Sequence, residues 1–244
     1  MNSQTMNNLR RLKLSYLVDN LEEFIDGCNK SKLSVDAVID RLCELEVIEK
    51  DRRGTERRLR QAKLGKFKRI EDFDWAFPKA INRDSIEKLL KTDFTNRQEN
   101  IILAGAQGLG KTMIAKNITY QAVVRGKTAL FTTASQMVMM LKSSDNQVDL
   151  NRMLKKYVQP ELLVIDELGY LSYDHQAADL IFEIINQRYE VGSIIITTNL
   201  AFKDWNTIFP GAACLTAMID RLTHHLQMIK IEGGSYRLKE SKVK

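Results

Sequence analysis

The stretch "NIILAGAQGLGKTMIAKNI", from Asn100 to Ile118, decides the fold of this chain. Its first residues are apolar and predict a buried strand, and its last residues predict a helix. Between them, Gly105 to Thr112 match the spacing G-x-x-x-x-G-K-[ST]. The glycines let successive backbone N–H groups turn toward one anion, and the start of the helix adds the positive end of its dipole. The sequence therefore predicts a phosphate-binding loop.

We expect this loop to surround a nucleotide triphosphate. Lys111 can reach the β- and γ-phosphates, and the hydroxyl of Thr112 can ligate the Mg²⁺ that bridges them. The residues predicted to bind the nucleotide form one continuous segment: Gly105, Ala106, Gln107, Gly108, Leu109, Gly110, Lys111, Thr112 and Met113. ATP and Mg²⁺ are thus the predicted cofactors. The alternative is an ordinary glycine-rich turn with a chance lysine.

Acidic and amide side chains follow two further apolar runs. In "LLVIDELGYL", Asp166 and Glu167 emerge at the carboxyl end of a predicted strand, which is the edge of a parallel sheet where ligands bind. Asp166 is predicted to hold Mg²⁺, and Glu167 to polarise the water that attacks the γ-phosphate. Asn199, at the end of "IIITTN", is predicted to contact the same phosphate and water. These residues favour ATP hydrolysis over transfer to a metabolite.

Three arginines are candidates for neutralising charge on the γ-phosphate, from the same subunit or from a neighbour. They are Arg221 in "AMIDRLTHH", Arg237 in "GGSYRLKE" and Arg188 in "INQRYE". For each of them the alternative is a local salt bridge, and Asp220 is the expected partner of Arg221.

Strands and helices alternate after Pro78, which predicts a parallel sheet with helices on both faces. The strand candidates are 101–104, 128–132, 162–165, 194–197 and 228–231. The helix candidates lie near 111–125, 135–142, 150–158, 175–189 and 213–225. The fold class is therefore α/β, with one strand between the phosphate loop and the acidic pair.

The residues before this region predict a small helical domain. Its first helix is expected to end near Asp26, and its second to begin after an N-cap at Ser34. The second helix is expected to run on into a basic segment, although Gly54 is a possible interruption. The predicted domains are residues 1–68 and 69–244.

The net charge of +6 is unevenly distributed. Ten basic residues and only two acidic ones lie between Lys50 and Arg69, so the rest of the chain is slightly acidic. Such a local cluster predicts a polyanionic partner, duplex DNA, with a solvated surface or an acidic protein as the alternatives. The predicted DNA contacts are Lys50, Arg53, Arg57 and Arg60, and a second group, Lys142, Arg152, Lys155 and Lys156.

Other features restrict the location and the chemistry. The three cysteines are odd in number and lack metal-ligand spacing, which favours a reducing cytoplasm. Apolar runs are too short for a membrane helix. His175, His224 and His225 have no ligand cluster near them in the sequence, which argues against a transition-metal site.

Several motifs together resemble the IstB family, the AAA+ helper ATPases of bacterial insertion sequences, which are relatives of the helicase loader DnaC. The motifs are "GAQGLGKT", "LLVIDELGYL", "IIITTN", "AMIDRLTHHLQMIKIEGGSYRLKE" and "RRLRQAKLGKFKRIEDFDWAF". The resemblance implies an AAA+ oligomer in the bacterial cytoplasm, associated with the nucleoid. Such an oligomer would assemble on DNA with ATP, remodel it and present it to an IstA-like transposase.

The resemblance also implies a role for each matching residue. Lys111 and Thr112 fall on Walker A, and Asp166 and Glu167 on Walker B. Asn199 falls on sensor I, Arg221 on the arginine finger, and Arg237 on a sensor II-like position. Gln107 and Leu109 stand where AAA+ phosphate loops commonly carry Pro and Thr.

Two other functions stay open at this point. One is a helicase loader that grips a replicative helicase through its N-terminal helices and uses ATP as a conformational switch. The other is a small-molecule phosphotransferase, against which Glu167 and Asn199 already argue.

Overall fold

The computed structural model describes residues 3–236. Their contacts divide the chain into two compact units, one up to Arg57 and one from Arg58 onward. Residues 58–68 belong to the second unit by this criterion, and the domain boundary predicted at residue 68 stays a prediction.

The first unit is helical. It contains α1 (Ser3–Arg11), α2 (Ser15–Lys30) and most of α3 (Val35–Ala62). The prediction of one continuous first helix is wrong, because Lys13 between α1 and α2 has a left-handed backbone with φ 58°. Inside the unit, the backbone N–H of Leu17 donates to the buried carboxylate of Glu46 at 2.9 Å, which joins α2 to α3.

The start of α3 is as expected. The Oγ of Ser34 accepts the backbone N–H of Ala37 at 3.4 Å, as an N-cap does. Gly54 does not interrupt α3, which continues through the basic segment to Ala62.

The second unit contains a five-stranded parallel sheet in the order β2-β3-β4-β1-β5. The strands are β1 (Asn100–Gly105), β2 (Ala129–Thr133), β3 (Leu162–Leu168), β4 (Ser193–Thr198) and β5 (Leu226–Ile231). All five predicted strands and the α/β class are confirmed.

Helices connect these strands. They are α4 (Arg83–Leu90), α5 (Lys111–Val124), α6 (Ala134–Lys142), α7 (Gln147–Val158), α8 (His175–Arg188) and α9 (Leu215–Thr223). The five predicted helices are confirmed, whereas α4 was not predicted. Short 3₁₀ helices occupy Ile70–Asp72, Asp93–Arg97 and Phe202–Thr207. None of the helices within residues 3–236 is long and apolar enough to cross a membrane.

The core lies on both faces of the sheet. Along β1, Ile101 and Leu103 belong to a buried cluster with Ile114 of α5, and Ile102 belongs to a second cluster with Ile181 of α8. This alternation follows from the two-residue period of a strand. A parallel sheet that is covered on both faces explains why its strands are almost continuously apolar.

The topology brings three loops to one edge. Because β4 lies between β1 and β3, the carboxyl ends of these three strands are adjacent. The pairing of β3 with β4 shifts register between Ile165 and Leu168, so Asp166 and Glu167 lie in an irregularity of the ladder. Such irregularities change the direction of side chains at the end of a strand.

Candidate nucleotide-binding site

The phosphate loop joins β1 to α5. Lys111, the first residue of α5, is almost fully buried at 5% exposure. Its Nζ donates hydrogen bonds to the carbonyl oxygens of Gly105 at 2.6 Å and Ala106 at 2.7 Å. The ammonium group is therefore held inside the loop, where phosphate oxygens would replace these carbonyls as acceptors.

Two glycines of the loop have conformations that other residues rarely adopt. Gly108 has φ 76° and Gly110 has φ 83°. A Cβ on Gly110 would lie 2.5 Å from the ring of Phe73, and a Cβ on Gly108 would collide with the side chain of Ser235. The glycines thus allow both the turn and the close approach of neighbouring segments.

The segment that follows β5 also contacts this loop. The backbone N–H of Tyr236 donates to the carbonyl oxygen of Gly108 at 3.0 Å. The C-terminal part of the described chain therefore forms one wall of the site, although it is more than a hundred residues away in sequence.

Asp166 lies beside Thr112. The Oδ1 of Asp166 accepts hydrogen bonds from the hydroxyls of Thr112 at 3.1 Å and Thr197 at 2.5 Å. Burial raises the pKa of Asp166 above its ordinary value, and these two hydrogen bonds oppose that shift. The sequence analysis missed Thr197, although it lies within the quoted "IIITTN".

These groups fit Mg²⁺. The hydroxyl and the carboxylate are oxygen ligands, which this ion prefers. A cation at Asp166 would also offset the desolvation that raises the pKa of its carboxyl group. The predicted metal ligands, Thr112 and Asp166, are therefore brought together by the fold.

Glu167 is held through its backbone. Its N–H donates to the Oγ1 of Thr197 at 2.9 Å, while its side chain is exposed. Its φ of 63° is unusual for a residue other than glycine. Strained residues of this kind are concentrated at functional sites. The conformation separates the two carboxylates, with Asp166 buried and Glu167 facing a cavity.

That cavity has a volume of about 330 Å³ and extends from the phosphate loop to a group of aromatic residues. Lys111, Thr112, Glu167 and Thr197 line one part of it. The other part is lined by Phe67, Phe73, Phe77, Pro78 and Tyr236. An apolar slot next to a phosphate loop is suited to a purine base.

The sequence analysis did not identify these aromatic residues. They lie mainly in "KFKRIEDFDWAFP", which reads as a connection between domains. The signal was its aromatic content, because Phe67, Phe73, Trp75 and Phe77 fall within eleven residues. In the structure Phe77 packs edge to face on Tyr236, with ring centres 4.9 Å apart.

Asn199 follows β4 at the same edge of the sheet. Its side chain is exposed, and a Cβ on Gly169 would lie 2.9 Å from its Oδ1. Thr197, two residues earlier, is the β4 residue that contacts Asp166. The role of Asn199 as a γ-phosphate sensor stays a prediction.

Arg188 has a structural role. Its guanidinium is buried and donates to five backbone carbonyls, those of Tyr157, Val158, Pro160, Glu161 and Ser193. Glu161 and Ser193 lie where β3 and β4 begin, at the edge of the sheet opposite the phosphate loop. Arg188 is therefore not a γ-phosphate ligand of its own site, because its side chain is engaged elsewhere.

Arg221 lies on α9, half-buried and outside the residues that line the cavity. Its Nη1 donates to the carbonyl of Ala217 at 3.1 Å, and its guanidinium lies 5.2 Å from the ring centre of Phe182. The expected ion pair with Asp220 is not among the ion pairs of residues 3–236. Arg237 lies outside the described residues.

The first group of predicted DNA contacts lies on α3. Lys50, Arg57 and Arg60 are exposed. Arg53 is engaged with Glu49 at 2.5 Å and with Asp19 at 2.7 Å, so its charge is already compensated.

The second group lies on α6 and α7. Lys142 is paired with Asp174 at 2.6 Å, and Arg152 with Asp149 at 3.0 Å. Lys155 is exposed.

Lys156 has a neighbour that the sequence analysis missed. Burial, together with the adjacent Lys63, lowers the pKa of Lys156. Neither ammonium group forms an ion pair with a carboxylate within the part of the chain that the structure describes.

The sheet order, the phosphate loop after β1 and the acidic pair at the carboxyl end of β3 define an ATP-binding protein of the AAA+ class. The chain belongs to the family of IstB-like ATP binding proteins, and the match to this family covers residues 7–244. The resemblance inferred from the motifs is thereby confirmed.

Two relatives illustrate this membership. The chain is 36% identical to the putative ATP-binding protein of insertion sequence IS21 from Pseudomonas aeruginosa, over 96% of this chain and 88% of the relative. It is 34% identical to the corresponding protein of IS5376 from Geobacillus stearothermophilus, over 96% of this chain and 93% of that relative.

Solved structures share the fold. The DnaC helicase loader aligns with a TM-score of 0.54 and 20% identity, over 66% of this chain and 96% of DnaC. DnaI aligns with a TM-score of 0.56 and 19% identity, over 68% and 89%. DnaC, DnaI and this chain therefore share the same AAA+ fold.

Proposed function

We propose that this chain is a DNA-stimulated, Mg²⁺-dependent ATPase that assembles on target DNA, remodels it and stimulates a partner transposase during insertion-sequence transposition. It would act in the bacterial cytoplasm, at the nucleoid. The observation that carries the proposal is the cluster of Thr112, Asp166 and Glu167 beside the cavity, in a chain whose relatives are encoded by insertion sequences.

Nucleotide binding uses the loop and the aromatic slot. The backbone N–H groups of residues 105–113 surround the phosphates. Lys111 exchanges its two carbonyl acceptors for phosphate oxygens, and the base enters the slot beside Phe73 and Phe77. Thr112 and Asp166 would hold Mg²⁺, which neutralises phosphate charge when it is bound.

Hydrolysis needs an activated water and a compensated γ-phosphate. Glu167 is exposed to the cavity and is suited to polarise the water, while Asp166 stays engaged with hydroxyl groups. Asn199 would orient the same water from the end of β4. Thr197 positions both acidic residues, because it donates to Asp166 and accepts from the backbone of Glu167.

The arginine comes from a neighbouring subunit in this mechanism. Arg221 is not among the residues that line the cavity of its own chain, and its side chain is only partly buried. An arginine supplied in this way raises the rate by about 10³–10⁵ in related phosphoryl-transfer sites. Hydrolysis would then require self-association. Arg237 is a second proposed contributor.

DNA binding is proposed at the exposed basic residues. Lys50, Arg57 and Arg60 on α3 would neutralise duplex phosphates, as would Lys155 and Lys156 on α7. Binding through phosphates is independent of sequence and weakens with salt. Lys142, Arg152 and Arg53 contribute less, because carboxylates already compensate their charges.

The test is ATP turnover as a function of protein concentration, with and without duplex DNA. We expect the rate per subunit to rise with concentration and with DNA, because each site is completed by a neighbour. Glu167→Gln should bind ATP but not hydrolyse it, and Arg221→Ala should lose the dependence on concentration. A rate per subunit that is flat and independent of DNA would contradict the proposal.

The second candidate function is a helicase loader. The fold shared with DnaC supports it. Co-purification of this chain with a replicative helicase, and not with a transposase, would favour this function.

A further inference from the structure

Three side chains with metal-binding atoms meet at the edge of the sheet opposite the phosphate loop. Glu190 precedes β4, while His224 and His225 lie between α9 and β5. One donor atom of each residue lies within 4.8 Å of the others. The sequence did not indicate this cluster, because more than thirty residues separate the glutamate from the histidines.

The distances suit one shared ion. The Oε1 of Glu190 lies 3.6 Å from His224 Nδ1 and 3.8 Å from His225 Nε2. Ligands that lie about 2.0–2.1 Å from a tetrahedral Zn²⁺ are about 3.3 Å apart. All three side chains are exposed, which leaves them room to rotate toward one ion.

The backbone of both histidines is held by hydrogen bonds. The carbonyl of His225 accepts the N–H of Asn100, the first residue of β1, at 2.7 Å, and the N–H of His224 donates to the carbonyl of Asp220 at 3.1 Å. Glu190 lies two residues after Arg188, and the guanidinium of Arg188 binds five backbone carbonyls. A fixed backbone with adjustable, solvent-accessible side chains is suitable for capturing an ion from solution.

The donor set points to a class of metal. Two imidazoles and one carboxylate favour Zn²⁺ and its transition-metal neighbours over Mg²⁺, which prefers oxygen ligands and keeps its waters. Sites with three protein ligands and an exchangeable position are common for Zn²⁺. The hydroxyl of Tyr189 forms a hydrogen bond with His224 Nδ1 at 2.8 Å. A metal ion bound to this nitrogen would replace the hydroxyl as its partner.

We propose that Glu190, His224 and His225 bind one divalent transition-metal ion, with Zn²⁺ as the type. The site is separate from the Mg²⁺ ligands Thr112 and Asp166, which lie at the other edge of the sheet. The bound ion connects the C-terminal end of α9 to the turn between α8 and β4. Arg221 lies three residues before His224, so the ion also restrains the helix that carries this arginine.

The experiment is a titration of the full chain with Co²⁺, without a histidine tag and without nucleotide, followed by visible absorption. We expect one equivalent of Co²⁺ to produce visible absorption bands typical of nitrogen and oxygen ligands. Added Zn²⁺ should displace the Co²⁺ and remove these bands. His224→Ala and His225→Ala should each weaken binding by at least about tenfold, and Glu190→Gln should also weaken it. His175→Ala is the matched control and should leave binding unchanged.

A second measurement uses thermal unfolding. Zn²⁺ should raise the melting temperature of the wild-type chain, because an ion that binds only the folded state stabilises it. The double variant His224→Ala/His225→Ala should lose this rise. Glu190 is exposed in a turn, so Glu190→Gln should fold. This variant can be measured even if the histidine variants fail to fold.

Three results would overturn the proposal. One is the lack of any saturable absorption change. Another is a change that the two histidine variants leave intact. The third is the intense near-ultraviolet absorption of thiolate ligation, which would place the ion on cysteine.

Discussion

At the scale of single residues, Asp166 illustrates how the site is built at the expense of stability. Its carboxylate is 2% exposed and is compensated by the hydroxyls of Thr112 and Thr197, not by an ion pair. Burial raises its pKa. The folded, nucleotide-free protein therefore carries a charge that only a bound cation would fully compensate.

We predict that Asp166→Asn stabilises the nucleotide-free protein and abolishes hydrolysis. The pKa of Asp166 in the folded protein is raised above its ordinary value of 3.8, so the unfolded chain loses the carboxyl proton at a lower pH than the folded protein does. The stability of the wild-type protein therefore falls as the pH rises from the unfolded-state pKa through the folded-state pKa. The difference in stability between Asp166→Asn and the wild type should be largest at neutral pH and should become smaller at acidic pH. For a chain of this size, each kcal/mol raises the melting temperature by about 2–4 °C.

Calorimetry without Mg²⁺ and nucleotide measures this effect. Glu167→Gln is the matched control, since Glu167 is exposed and the substitution removes one carboxylate charge without favouring its left-handed backbone, so the melting temperature should change little. A melting temperature of Asp166→Asn below that of the wild type at neutral pH would contradict the prediction.

At the scale of secondary-structure elements, one buried side chain joins several of them. Arg188, at the end of α8, binds carbonyls at the end of α7 and at the starts of β3 and β4. Burial lowers the pKa of Arg188 to about 10, so its guanidinium still carries its charge at neutral pH.

We predict that Arg188→Met strongly destabilises the second unit. The substitution keeps most of the side-chain volume but leaves buried carbonyls without a donor, at a cost of about 1–3 kcal/mol for each group that stays unsatisfied. The free energy of unfolding in urea should fall by several kcal/mol. Arg221→Met, which removes a half-buried arginine, should cost much less. Equal losses in the two variants would show that the carbonyl network contributes little.

The segment before the core lines the cavity beside the phosphate loop. The connection that contains Phe73 and Phe77 supplies one wall of the nucleotide cavity, and the segment ending at Tyr236 supplies another. The base would therefore be enclosed by two segments that are distant in sequence.

We predict that Phe77→Ala weakens ATP binding but not the binding of inorganic tripolyphosphate. The ring packs on Tyr236 and faces the cavity, whereas the phosphates are held by backbone groups and Lys111. A loss of about 1–3 kcal/mol, or about 5- to 150-fold in affinity, is expected for one buried aromatic contact. Lys111→Ala should weaken both ligands. If Phe77→Ala also weakens tripolyphosphate equally, the slot does not hold the base.

At the scale of the whole molecule, the distribution of charge matters more than its sum of +6. Several predicted DNA contacts are neutralised by carboxylates, whereas Lys50, Arg57 and Arg60 are exposed on α3. Within residues 3–236 no carboxylate forms an ion pair with these three side chains, so they should dominate any interaction with a polyanion.

We predict that reversing the charge of Lys50, Arg57 and Arg60 flattens the dependence of DNA affinity on salt. Each phosphate contact that is lost should reduce the slope of log K against log salt by about 0.9. Arg52→Glu is the matched control, because Arg52 is exposed but paired with Glu49 and Glu56. Fluorescence anisotropy at several salt concentrations measures the slope, and nucleotide binding should be unchanged. An unaltered slope would place the DNA elsewhere on the protein.

Much of the fold follows from local sequence patterns. The phosphate loop, its strand and its helix are contiguous, and the spacing of Gly105, Gly110 and Lys111 fixes their chemistry within a few residues. The acidic pair is also local, since Asp166 and Glu167 directly follow an apolar run. The break at Lys13 escaped prediction, because neighbouring residues support a helix and only a single backbone conformation interrupts it.

The sequence by itself determined the class of fold, the five strands, the phosphate loop and the family. Only the tertiary structure decided which distant side chains meet: Thr197 with Asp166, Lys63 with Lys156, and Glu190 with the histidines. The physical reason is range. Backbone preference and hydrophobic period act between near neighbours, whereas a site formed across strands depends on the register and order of the sheet, which no local pattern encodes.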